Sequence, residues 1–169
     1  MDAIFKDVDL PLEHAASIEV NAAFFRQNKA AVQPIAMQTA WEMVHRAHAY
    51  AESVGIKVTA AVVDEAGCPI AVGRMDGADP HSSELAFHKA YTAAAFHVAT
   101  ADLVPQARQR WVRSLAIAHH GRIMPAAGGI VVVEGIAILG AVGVAGAHHP
   151  DQDILCGQAA LAVLKSSGN

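Results

Sequence analysis

Several side chains capable of acid–base or metal chemistry crowd one stretch of the chain, RMDGADPHSSELAFHKAYTAAAFH, at residues 74–97. They are His81, Glu84, His88, Lys89 and His97. The stretch opens like the end of a strand, turns through Gly77 and Pro80, and then becomes alanine-rich, which predicts a helix over 80–97. At about 100° per residue, His81, Glu84, His88, Thr92 and Ala95 share one face. Ala86, Ala90, Ala93 and Ala94 share the opposite face with His97, and Lys89 sits at the margin. The small face can approach a sheet closely, which turns the His/Glu face toward solvent, a cleft or another subunit. Glu84 and His88, one turn apart, could reach one cation, yet a zinc or iron site needs further ligands that no motif supplies. The plainer reading is a solvated face carrying an ordinary i, i+4 polar pair.

Other candidates lie elsewhere. His48 falls in the middle of an apolar helical stripe, where it is either a metal ligand or a core histidine bonded to a backbone carbonyl. The pairs His119-His120 and His148-His149 read most simply as loop residues. His148 and His149 nevertheless lie between a glycine-rich strand and a helix start, a location suited to anions. No nucleophile elbow or phosphate loop is present, and GAVGVAG lacks the strand–turn–helix context of a dinucleotide site.

These residues need a scaffold. Residues 1–33 show no clear period and read as an N-terminal arm, with the main domain over 34–169. Pro34 is followed by a stripe through Ala40, Trp41, Val44, Ala47 and Ala51, a helix ended by Gly55. KVTAAVV (57–63) reads as a buried strand, Asp64–Gly67 as a turn, and 69–75 as the returning strand. Thr100 or Asp102 can cap a further helix toward Arg113, with 114–129 irregular. IVVVE, the turn Glu134-Gly135 and IAILGAVGVAGA form a second hairpin. The glycines of its last strand mark close approach by a ligand or another backbone. A last helix starts at Asp151 or Asp153 and runs to Leu164. Two hairpins among helices predict an α/β (α+β) fold with an antiparallel sheet packed by helices.

Composition narrows the function classes. The chain has 169 residues, 53% apolar and 17% charged, with a net charge of −4. The charge and the absence of a basic stripe argue against nucleic acid as a partner. No run is long and apolar enough for a membrane span, because the longest candidate (130–147) is broken by Glu134 and glycines. Surplus apolar surface predicts a homo-oligomer. Cys68 and Cys156 have neither metal nor disulfide spacing, and the acidic N-terminus does not read as a secretory signal, so a cytoplasmic location is expected.

Taken together, AAVVDEAGCPIAVGRMDGA, SSELAFHKAYTA, the pair Gly128-Gly129 and GAVGVAGAHHPDQDILCGQAA resemble the GlcG/HbpS haem-binding family, which includes the C-terminal domain of PduO-type proteins. The resemblance covers residues 37–164. It implies a central antiparallel sheet of about five strands, similar to profilin- or Roadblock-like domains, in homo-oligomers, with haem as the possible cofactor. The positions carrying it are Asp64, Gly67, Arg74, Asp76, Gly77 and Lys89, then Thr92, Gly128, Gly129, Gly143, Gly146 and Asp153. Lys89 and Arg74 are suited to hold a carboxylate such as a haem propionate. Thr92 joins the same set, and Gly128, Gly129 and Gly143 would admit a flat ligand closely. The competing reading of the charged positions is an ion network that holds the fold. One departure stands out: this chain reads GVAGA where the family pattern usually reads GVSGA, so Ala145 removes a hydroxyl.

Two functions follow as expectations. One is a haem or small-carboxylate binder, with His48 or His88 on the iron and a pocket between helix 80–97 and the glycine-rich hairpin. The other is an enzyme of small organic acid catabolism (an isomerase, hydrolase, lyase or deaminase) in which Lys89 or Arg74 anchors the carboxylate. Glu84, Asp153 or His148 would then move protons.

Overall fold

A computed structural model describes residues 34–166; the expected arm, 1–33, lies outside them. Five helices and four strands follow in order: α1 (Met37–Ser53), β1 (Thr59–Asp64), β2 (Pro69–Arg74), α2 (Ser82–Phe96), α3 (Thr100–Leu103), α4 (Arg110–Ala118), β3 (Gly129–Glu134), β4 (Ala137–Ala145) and α5 (Pro150–Ser166). The strands form one antiparallel sheet in the order β2-β1-β4-β3. Four strands replace the expected five among the described residues. The sequence pattern itself contains only two hairpins, and the family resemblance alone implies a fifth strand.

The central strands read as continuous apolar runs because both sheet faces are covered. Ala61, Val63, Ala141 and Ala145 face the small side of α2, formed by Ala86, Ala90, Ala93 and Ala94. On the other face, Val44 and His48 of α1 lie over Gly73 of β2, and Ile130 of β3 meets Gly157 of α5. α1 and α5 pack side by side, which completes three layers.

Local chemistry fixes the connections. In the β1–β2 turn, Asp64 Oδ1 accepts hydrogen bonds from the Ala66 and Cys68 backbone N–H groups, a self-closed Asx turn. His97 ends α2 in the left-handed region (φ 58°), so it terminates the helix and leaves the small face to the alanines. The segment after it departs from expectation. Pro105 sits in a short 3-10 turn and prevents α3 from continuing toward Arg113. Part of the stretch expected to be irregular is instead helical, as α4.

Candidate functional site

Lys89 is the centre of the site. Its Cα belongs to α2 on one face of the sheet, yet its ammonium reaches a carboxylate of α5 on the other. Nζ donates to Asp153 Oδ2 at 2.8 Å and to the Val144 carbonyl at 2.9 Å. Both side chains of the pair are buried, at 8% and 6% exposure. Asp153 Oδ1 accepts the Ala147 N–H at 3.1 Å, which ties the exit of β4 to the start of α5.

The passage between layers exists because residue 128 has no side chain. A β-carbon there would meet the Val144 carbonyl, and would stand 3.0 Å from both Asp153 Cβ and Lys89 Nζ. Gly128 also has φ +117°, a conformation that other residues rarely adopt. Gly129 and Gly143 act differently. β-carbons on them would collide with the backbone of α2, at Lys89 for Gly129 and at Ala86 and Ala90 for Gly143. This corrects the expectation that these two glycines admit a flat ligand, since the helix backbone already occupies the space they leave.

The pair lies on the wall of a hollow of about 400 Å³ between α2, the exit of β4 and the start of α5, within the ~300–1,000 Å³ usual for small-molecule sites. His81, Leu85 and Lys89, spaced i, i+4, i+8, form its α2 wall; Met124, Ala145 and His148 close it from other segments. Ala145, at the departure from the GVSGA pattern, therefore contributes a methyl where a hydroxyl is usual. An ammonium has three N–H donors, and the two bonds above use two of them.

Electrostatics at the pair are set by burial. Desolvation raises the Asp153 carboxyl above the usual carboxylate range, and the adjacent Lys89 ammonium only partly offsets this. Cys156, one turn further along α5, is pushed up to about 11 by its own burial and by the Asp153 charge, so it is a packed thiol.

The expected site residues divide. Lys89, Asp153 and His148 come together on the hollow, with Gly128 at its floor beside Lys89. Glu84 is exposed and does not line it. His88 lies beside the Phe87 ring, with centroids 5.7 Å apart, and is also outside it. Thr92, expected on the outward face, is fully buried. Its hydroxyl accepts the Met124 N–H at 2.8 Å and donates to the His88 carbonyl at 2.7 Å, so it anchors a wall segment. Arg74 is exposed and donates to the Ala78 carbonyl, stapling the turn after β2 rather than lining the hollow. His48 Nε2 lies 3.0 Å from the Gly73 carbonyl on the α1 face of the sheet. Burial lowers its pKa, which fits the alternative of a core histidine. His48 and His88 therefore stand on opposite sides of the sheet. No group of three or more His, Cys, Asp or Glu side chains among the described residues could hold a metal ion. Sequence reasoning missed Leu85 and Met124, and placed His81 on the 84/88/92 stripe; the i, i+4, i+8 spacing to Lys89 was the available signal.

Residues 35–162 match the family model described as "Haem degrading protein HbpS-like". The chain belongs to this HbpS-like family. Solved structures of similar proteins agree with the fold. Klebsiella pneumoniae protein ORFY is 28% identical with a TM-score of 0.74, the match covering 80% of this chain and 93% of that one. Streptomyces reticuli HbpS, solved as a double mutant, is 30% identical with a TM-score of 0.70, covering 79% and 88%. PduOC, solved as a haem complex, is 26% identical with a TM-score of 0.70, covering 78% and 95%. No helix among the described residues of this HbpS-like chain is long and apolar enough to cross a membrane.

Proposed function

We propose that this HbpS-like protein binds haem, or a smaller carboxylate, in the hollow beside Lys89. The observation that carries the reading is the buried ammonium on the hollow's wall, which has one N–H donor beyond those given to Asp153 and Val144. Lys89 would hold a ligand carboxylate, and the pairing with Asp153 keeps the ammonium charged in a buried position. The donor set suits haem. Leu85, Met124, Ala126 and Ala145 offer apolar contact to a flat ring, while His81 and His148 bring imidazoles to the same hollow. Haem, when bound, supplies iron redox chemistry; the chain's own part is to hold the carboxylate, shield the ring and offer an imidazole. Family membership and the haem complex of PduOC support the same reading. Haem titrated into the purified protein should produce a Soret band that shifts in either His81→Ala or His148→Ala. The absence of any band from the unaltered protein would overturn the reading.

The raised pKa of Asp153 on the hollow's wall favours a second reading, acid–base chemistry on a small organic acid. It expects turnover of a small carboxylate that is lost in Asp153→Asn. The reading includes self-association in the cytoplasm: Ile117 (78% exposed) and Ile136 (92%) are large apolar side chains that a second copy would cover.

A further inference from the structure

A second hollow of about 290 Å³ adjoins the first. The two share one wall, made of Asp79, Gly146, Ala147 and His148. Each also has a lysine of its own, Lys89 in the inner hollow and Lys57 in the outer. The Lys57 stem runs along Gly77, with Cγ 4.0 Å from where a β-carbon on that glycine would stand. Lys57 forms no salt bridge within the described residues, in contrast to Lys89.

The backbone sets the spacing of the two cations. The Val144 carbonyl holds the Lys89 ammonium, while a β-carbon on Gly146 would lie 2.8 Å from the Lys57 carbonyl. Residues 144 and 146 are two steps apart along nearly extended chain, about 7 Å. One ligand can therefore reach both lysines across the shared wall.

We propose that the ligand of this site carries two carboxylates, one placed on Lys89 in the inner hollow and the other on Lys57 in the outer. The inference rests on the reading of the inner hollow given above and narrows it to diacids, a class that includes porphyrins with two propionates. Lys57 is exposed and so supplies a screened, adjustable contact, whereas Lys89 supplies a fixed one. Asp79 is the opposing element. It is an exposed carboxylate on the shared wall and repels the second acid group.

The test uses iron-free protoporphyrin, its monomethyl ester and its dimethyl ester, titrated by fluorescence into the full chain. Lys57→Met should weaken diacid binding about three- to fivefold at low salt, as for an exposed ion pair. The loss should shrink toward nothing near ~1 M salt. The monoester should bind the unaltered protein about as weakly as the diacid binds Lys57→Met, and Asp79→Asn should tighten the diacid about two- to threefold. Equal binding of diacid and monoester, or indifference of the diacid to Lys57, overturns this inference and leaves the reading of the inner hollow standing. Failure of the unaltered protein to bind any of the three porphyrins overturns both.

Discussion

Replacing Lys89 by methionine tests the central feature of the structure, because the change keeps most of the side-chain volume and removes only the charge. Asp153 would then remain 4% exposed with the single N–H of Ala147 as its partner. Breaking one side of a buried pair costs about 3–5 kcal/mol; the hollow lets water reach this pair, so about 3 kcal/mol is expected. For a chain of this length that corresponds to a fall in Tm of roughly 6–12 °C by calorimetry. Lys89→Met combined with Asp153→Asn should be more stable than Lys89→Met alone, with a coupling of about 2 kcal/mol, because the second change removes the stranded charge. The pH dependence gives an independent sign. Asp153 has a raised pKa, so the folded state binds the proton more tightly than the unfolded state does. Stability from this group is greatest at low pH and declines as pH rises from the ordinary aspartate value through the raised one. Without Lys89, the largest opposing influence is gone, and the decline should extend to higher pH. A loss below ~1 kcal/mol together with an unchanged pH profile would refute the description of this pair as a buried clamp.

Gly143→Ala should cost about 1–3 kcal/mol by denaturant unfolding, because the new methyl meets the backbone of α2 at Ala86 and Ala90, which no rotamer change can relieve. Thr92→Val should cost about 1–3 kcal/mol by stranding the Met124 N–H, while Thr92→Ser should stay near the parent in stability and in ligand affinity. His48 has a depressed pKa, so the unfolded state protonates first and stability falls as pH drops from about 6.5 through the lowered value. His48→Gln should flatten that part of a pH–Tm profile.

The elements were legible where local chemistry and periodicity agreed. The stripe through Ala40, Val44, Ala47 and Ala51 marked α1, and the Asp64–Gly67 and Glu134-Gly135 turns marked both hairpins, since each turn is closed by its own residues. α4 was obscured because it is a short helix with one fully buried side chain, Val112, ending at two histidines and a glycine. The site was half legible for a geometric reason. A helical projection gives the direction in which Lys89 leaves α2 but not how far its stem travels, and four carbons take the ammonium past the sheet to the opposite layer. Glycine likewise signals close approach without naming what approaches. At Gly129 and Gly143 it is the α2 backbone, while at Gly128 it is the Lys89–Asp153 pair itself. The motif residues of the last strand thus serve packing and site together. By letting α2 lie against the sheet they bring Lys89 within reach of α5, and the same contact leaves the ammonium at the edge of a hollow.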